Sequence, residues 1–268
     1  MADTTRHDAW QAGDSYDQYM GRWSRQIAPA FLDWLDAPRA RDWLDVGCGT
    51  GALTAAIVEQ CAPLSVTSID PSQGFLDKAR ANVPDPRVDF RVGEAQALPI
   101  HAGSADMVVS ALVLNFVPDR ARALAEMQRV ARSGATIAFY VWDYPGGGIE
   151  FMRAFWTAAT RLDPNALALT EDRRFPFCTP DGLRDMAHDA GLASIEVTAL
   201  ERPSIFKDFD DYWHPFTLGA GPAPGYCKSL AEDARERLRA SLAETLPRAP
   251  DGSIHLMTRA WALRAKVS

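Results

Sequence analysis

The 268-residue chain is poor in the residues that build cross-links and metal cages. Its four cysteines, Cys48, Cys61, Cys178 and Cys227, share no paired spacing, and its five histidines lie far apart. Neither a disulfide framework nor a metal site is expected. No apolar run approaches the ~20 residues that cross a bilayer. The opening residues 1–14 are polar and hold no apolar secretion signal, so a cytoplasmic location without a membrane partner is expected. Positive charge is also thin: 28 Lys and Arg stand against 35 Asp and Glu, a net charge of −7. The basic residues are scattered, and Arg235-Glu236-Arg237-Leu238-Arg239 reads as the solvated face of a helix. Nucleic acid is therefore excluded as the main partner, because phosphate binding needs clustered cations. Internal repeats and low-complexity segments are absent too. What the chain has is 47% hydrophobic residues, enough for the core of one large domain, residues 1–268, with insertions.

The most informative stretch is Trp43-Leu44-Asp45-Val46-Gly47-Cys48-Gly49-Thr50-Gly51, an apolar strand running into three alternating glycines. A helical pattern follows at once in Ala52 to Val58, then a second apolar run, Val66 to Ile69, ending at Asp70. Glycine permits a tight turn and removes the Cβ atoms that hold a ligand away from the backbone. The first N–H groups of the helix have no intrahelical partner and face the gap. Strand, glycine turn, helix, strand and acid form the context that makes a nucleotide-like pocket the leading reading. Gly47, Gly49 and Ala52 also satisfy a relaxed dinucleotide fingerprint. Asp45 argues otherwise: its charge is unwelcome beside a pyrophosphate and welcome beside an amino group. Cys48 reads as a small filler within the turn.

These residues resemble the class I methyltransferases that use S-adenosylmethionine, in particular the small-molecule branch near the quinone-biosynthesis C-methyltransferases. The likeness rests on Leu44 to Gly51, Ile69-Asp70-Pro71-Ser72, Val92 to Pro99, Asp106 to Ser110, and Asn115 to Asp119. It is close from about residue 15 to residue 142 and looser beyond. The resemblance implies that Asp45 and the turn of Gly47, Gly49 and Gly51 hold the methionine moiety, its ammonium in particular. It implies that Asp70 accepts both ribose hydroxyls, and that Glu94 takes the adenine amino group with the Ala95 N–H facing a ring nitrogen. Glutamate at position 94 departs from the family's usual aspartate. Ser110 and Leu112 would lie near the sulfonium.

Strand-like runs at 43–47, 65–70, 88–92, 105–111 and 135–142, with a sixth from Ser194 to Ala199 and a seventh from Ile254 to Arg264, alternate with helical patterns. This gives an α/β fold: a seven-stranded, mostly parallel Rossmann-like sheet with helical cap insertions, the antiparallel last strand being implied by the family. Residues 1–40 read as an N-terminal helical lid, in which the resemblance would set Arg22 on the methionine carboxylate and Tyr16 and Tyr19 over the sulfonium. An amphipathic helix packed on the sheet is the competing reading of that segment.

Two insertions, 144–178 and 202–250, exceed a minimal fold and are rich in aromatics: Phe151, Phe155, Trp156, Phe175 and Phe177 in one, Phe206, Phe209, Tyr212, Trp213 and Phe216 in the other. They suggest an enclosed pocket for a small, largely apolar or aromatic acceptor. Gly146-Gly147-Gly148 and the stretch from Gly219 to Tyr226 read as loops able to open. Methyl transfer asks mainly for an in-line nucleophile and exclusion of water. Where a base is needed, His214, Asp143 and Tyr144 are the candidates, His214 because burial among aromatics would keep it neutral. An NAD(P)-dependent oxidoreductase and a non-catalytic S-adenosylmethionine-binding module are the alternatives. The sequence leaves the acceptor and the oligomeric state open.

Overall fold

A computed structural model describes residues 17–219 and 221–267. Tyr16, one of the expected lid residues, lies outside the described residues. Two compact units divide the chain.

The sheet unit comprises residues 24–142, 177–200 and 260 onward. Its strands are β1 (Asp42–Val46), β2 (Ser65–Asp70), β3 (Val88–Val92), β4 (Ala105–Ala111) and β5 (Ala131–Trp142), with β6 (Ala193–Phe206) as far as Leu200 and β7 (Ile254–Lys266) from Ala260. They form one seven-stranded sheet in the order β3-β2-β1-β4-β5-β7-β6. The first five strands pair in parallel, with Val46 beside Ile69 and Asp45 beside Val109, and β7 runs antiparallel to β5 with Leu263 beside Phe139. The strand order turns back at β1, where β2 lies on one side and β4 on the other, and ligands of open α/β sheets sit at the carboxyl ends beside such a point.

Helices α1 (Arg22–Leu35), α2 (Ala52–Gln60), α3 (Gln73–Asn82), α4 (Arg120–Val130) and, after two helices of the other unit, a helix over Pro180–Asp189 accompany these strands. Local chemistry fixes their ends. The Ser72 hydroxyl caps α3 by accepting from the Phe75 N–H, and Asp119 caps α4 by accepting from the Arg122 N–H. Thr179 caps the Pro180–Asp189 helix, with proline in the first turn where its missing N–H costs nothing. Ile57, Val66, Ile69, Val108, Val109, Leu124, Met127, Ile137 and Phe139 are fully buried. Such burial contributes roughly 1.5–3 kcal/mol per large side chain.

The aromatic unit comprises residues 17–23, 143–176 and 201–259. It contains α5 (Glu150–Leu162), α6 (Glu171–Arg174), α8 (Phe209–Trp213), α9 (Pro222–Ser229) and α10 (Glu232–Thr245), where α7 is the Pro180–Asp189 helix. A π-type turn over Asp17–Gly21 leads into α1.

Three expectations are corrected. The sixth strand does not stop at Ala199 but runs to Phe206, because alternating residues such as Leu200 and Ser204 continue to be buried. The stretch from Gly219 to Tyr226 is not an open loop: Pro222 starts α9, and Pro224 and Gly225 lie within it. The Gly146–Gly148 segment is a latched turn. Its Gly147 and Gly148 N–H groups donate to the Tyr144 and Asp143 carbonyls, and Gly148 in turn accepts from the Arg259 N–H.

Candidate functional site

At the carboxyl end of β1 the chain closes the glycine turn. The N–H groups of Gly47 and Cys48 both donate to the Ile69 carbonyl, at 2.7 and 2.9 Å, and Gly51 donates back to Cys48. All three glycines have positive φ, +77°, +53° and +89°, which L side chains rarely adopt. Their surroundings differ. A Cβ on Gly47 would come within 2.6 Å of the Val113 methyls, and one on Gly51 within 3.3 Å of Ala79 and Val83, so these two are demanded by packing. A Cβ on Gly49 would project into open space. Of the three, Gly49 has open space beside its backbone.

Asp70 borders the same space. Its Oδ2 accepts from the Gly49 N–H at 3.0 Å and its Oδ1 from the Ser72 N–H at 2.8 Å. Burial raises its pKa while these two amides pull it down. Each oxygen retains a further lone pair, the number needed for two ribose hydroxyls.

Asp45 is fully buried within β1. The Thr54 hydroxyl donates to its Oδ2 at 2.7 Å and lies 2.9 Å from the Ser68 hydroxyl. With the single Thr54 proton given to the carboxylate, Ser68 is the donor to Thr54. Oδ1 of Asp45 is buried and has no partner among the described residues. Burial pushes the carboxyl up to about 7, against the pull of Thr54 and with a further push from the Asp70 charge. A buried, half-satisfied carboxylate beside a glycine turn suits an ammonium group.

The carboxyl end of β4 adds two features. Leu112 is buried with φ +60°, its N–H bonded to the Tyr140 carbonyl at 2.8 Å. A branched residue in the left-handed region stores roughly 1–3 kcal/mol and is held there only by its surroundings. Asn115 is 4% exposed, and neither Oδ1 nor Nδ2 of its amide has a partner among the described residues. In the sequence Asn115 stands out only as part of a family stretch, because nothing in an Asn-Phe-Val-Pro string indicates that the amide will be buried without partners.

Other expected residues are placed differently. Ser110 is buried, but its hydroxyl donates to the Val46 carbonyl at 2.8 Å, so it ties β4 to the end of β1 and has no donor left for a ligand. Glu94 is exposed and Ala95 partly so, in a turn closed by the Ala97 N–H on the Glu94 carbonyl. Arg22 is committed within the aromatic unit: its guanidinium bonds both carboxylate oxygens of Asp211, at 2.8 and 3.2 Å, and the Ile205 carbonyl. It is not available to a methionine carboxylate.

Two of the expected bases are corrected as well. Asp143 is buried and fully engaged. Oδ2 pairs with Arg259 Nε at 2.7 Å, Oδ1 accepts from the Gly146 N–H at 2.9 Å, and a Cβ on Gly146 or Gly148 would fall within 2.7 Å of its carboxylate. It is the latch of the glycine turn, not a base. His214 is exposed at the start of a 3-10 turn, His214–Thr217, because the flanking Trp213, Pro215 and Phe216 take the interior positions. Tyr144 is half-buried with its ring 5.4 Å from that of Phe175.

The aromatics of the 206–216 segment are core. Tyr19, Trp23, Phe151, Phe206, Tyr212 and Phe216 meet at ring separations of 5.1–6.5 Å and leave no room for a water between them. Open space lies elsewhere in that unit, in a cleft of about 450 Å3 between Arg161 and Leu246 and in a cavity of about 240 Å3 bordered by Tyr144, Met152, Trp156 and Glu171. Glu171 is 4% exposed, accepts from the Trp156 indole N–H at 2.6 Å, and carries a second oxygen with no partner among the described residues. Its only sequence signal is an acid one residue, Thr170, beyond the apolar run Ala166-Leu167-Ala168-Leu169.

Comparison with known proteins agrees with this geometry. A methyltransferase-domain family model matches residues 44–139, all within the sheet unit. The demethylmenaquinone methyltransferase of Renibacterium salmoninarum is 33% identical over 189 residues, 67% of this chain and 76% of that protein. A bifunctional biotin-biosynthesis protein of Cellvibrio japonicus is 30% identical over 246 residues, 90% of this chain but 46% of that protein. The chain spans about half the length of several of the curated relatives it matches. The phosphoethanolamine N-methyltransferase 2 of Haemonchus contortus, solved with S-adenosyl-L-methionine, shares the fold with a TM-score of 0.58 at 15% identity, over 97% of this chain and 58% of that one. The chain belongs to the S-adenosylmethionine-dependent methyltransferase family, with its Rossmann-like sheet. Among the described residues, no helix is long and apolar enough to cross a membrane.

Proposed function

We propose that the protein transfers a methyl group from S-adenosylmethionine to a small, largely apolar or aromatic acceptor. The observation that carries this reading is the Gly49–Asp70 pair. It combines a backbone amide beside open space with a buried carboxylate that keeps two free lone pairs. When bound, S-adenosylmethionine supplies an electrophilic methyl on a sulfonium, with a neutral thioether as leaving group. The chain's own residues bind and orient. Asp70 accepts the ribose hydroxyls, and Asp45 faces the ammonium with its unpartnered Oδ1. Leu112, held in its left-handed conformation, and the Asn115 amide border the reacting end. Catalysis rests on alignment and exclusion of water, worth up to ~7–11 kcal/mol where geometry is ideal.

The acceptor class is supported by the small-molecule substrate named for a relative, demethylmenaquinone. The test is calorimetry of the full chain with S-adenosylhomocysteine and with NAD, followed by mass spectrometry of extracts incubated with methyl-labelled S-adenosylmethionine. Binding of the first nucleoside alone and a labelled small product are expected. Preferential NAD binding overturns the reading. Cofactor binding with no labelled product from any extract favours a non-catalytic module.

A further inference from the structure

The cavity in the aromatic unit has a built polar end. Its walls are apolar at Ile149, Met152 and Trp156, and Glu171 stands at its margin. Oε2 of Glu171 is taken by the Trp156 indole N–H, while Oε1 is buried without a partner among the described residues. Close enough for their charges to interact lies the Tyr19 hydroxyl, also buried and without a partner among the described residues. An unpaired buried carboxylate oxygen is costly, and an apolar residue of similar shape would suit such walls better. The polar group is accounted for when a donor arrives from outside the chain.

We propose that this cavity binds a compact aromatic molecule through a hydroxyl or amino N–H that donates to Oε1 of Glu171. The class follows from the lining. Above about pH 7 the Glu171 carboxylate is ionised and only accepts, so at pH 8 the ligand must donate. Glu171 and Asp172 border the cavity, and the one bordering guanidinium, Arg153, pairs with Glu150, so an anionic ligand is disfavoured. A volume of about 240 Å3 is below the usual ~300–1,000 Å3 of ligand pockets and suits a single substituted ring. Burial pushes the Glu171 carboxyl up to about 7, against the pull of its own backbone N–H, the Trp156 N–H and the Arg174 charge.

The test titrates the full chain at pH 8, with and without S-adenosylhomocysteine, with three molecules of one shape: p-cresol, p-toluidine and p-xylene. The first two are expected to bind at least tenfold more tightly than the third. Glu171→Leu should erase that preference while leaving p-xylene binding intact or improved. Glu171→Gln should erase it too, because its oxygen must serve the Trp156 N–H and its NH2 then faces the cavity. This second variant carries the test if the first does not fold. Equal binding of the three molecules by the unaltered protein overturns the inference, as does a preference that survives either substitution. Failure of S-adenosylhomocysteine to bind would instead strike the methyl-transfer reading and leave the donor preference standing.

Discussion

The Gly49 N–H donates to Oδ2 of Asp70 across 21 positions of sequence, at 3.0 Å. The glycine turn after β1 and the acid that ends β2 are thus one hydrogen-bonded unit, and a change to either reaches the other.

Asp70→Ala is therefore expected to do two things. It removes an acceptor for ribose hydroxyls, worth roughly 2 kcal/mol or more for charged hydrogen bonds. It also leaves the Gly49 and Ser72 amides without their partner, loosening the turn. S-adenosylhomocysteine affinity should fall at least roughly thirtyfold by calorimetry, the ratio that such an energy corresponds to. Asp70→Asn should recover part of the stability but less of the binding. Unchanged affinity in the alanine variant would remove Asp70 from the site.

The glycines of the turn should separate by substitution. A Cβ on Gly49 meets no protein atom, so in Gly49→Ala the fold bears only the cost of a left-handed residue, about 1–2 kcal/mol, and the branched side chain of Gly49→Val adds to that cost while occupying the space beside the turn. Gly47→Ala adds a collision with Val113 to the same backbone cost. Thermal melting should show Gly47→Ala as less stable than Gly49→Ala, and calorimetry should show Gly49→Val as the one that folds but does not bind.

Asn115 offers an opposite pairing of effects. A buried amide without partners burdens the unliganded fold, so Asn115→Leu should raise its melting temperature by a few degrees. The same change should lower affinity for S-adenosylhomocysteine or the rate of methyl transfer. A variant that gains stability and keeps full function would show that the amide faces no ligand.

Asp143 and His214 can be distinguished from catalytic groups by what their loss changes. Asp143→Ala takes the buried carboxylate away from Arg259 Nε and the Gly146 N–H and should reduce stability by about 1–3 kcal/mol, the cost of leaving a donor without its partner. His214→Ala, at an exposed position, should alter both stability and turnover by less than about twofold in equilibrium or rate, as surface substitutions do. A large loss of turnover in the folded His214 variant would restore it as a base.

Much of the sheet was legible because its signals are local. The runs at 65–70, 88–92 and 105–111 coincide with β2, β3 and β4 to the residue, since β-branched alternation and flanking turns bound them. The glycine turn and Asp70 were legible because their chemistry needs particular residue types at particular spacing. The aromatic insertions were not. Whether Phe206, Tyr212 and Phe216 line a pocket or fill a core depends on three-dimensional closeness that no periodicity records, and here they fill a core. Asp143 shows the same limit. It was a candidate base in the sequence, but its carboxylate is engaged by Arg259, 116 residues away.

The pH dependence of the unliganded protein should carry the signature of Asp45. Its carboxyl titrates near 7 in the folded state against an ordinary value of 3.8, so between those limits the native state holds a proton that the unfolded chain has released. As far as this group is concerned, stability is greatest below an ordinary carboxylate pKa. It falls as pH rises from there through the folded value, by at most about 1.4 kcal/mol for each pH unit crossed. Glu171, also raised to about 7, adds a slope of the same sign. Melting temperatures between about pH 5 and 8 should decline more gently in Asp45→Asn, and more gently still when Glu171→Gln is added. Binding supplies the complementary measurement. An ammonium set against Asp45 favours its charged form, so S-adenosylhomocysteine should expel a proton when it binds at about pH 6.5. Calorimetry in buffers of different ionisation enthalpy counts that proton, and the count should vanish in Asp45→Asn. Binding without proton release by the unaltered protein would place the ammonium elsewhere.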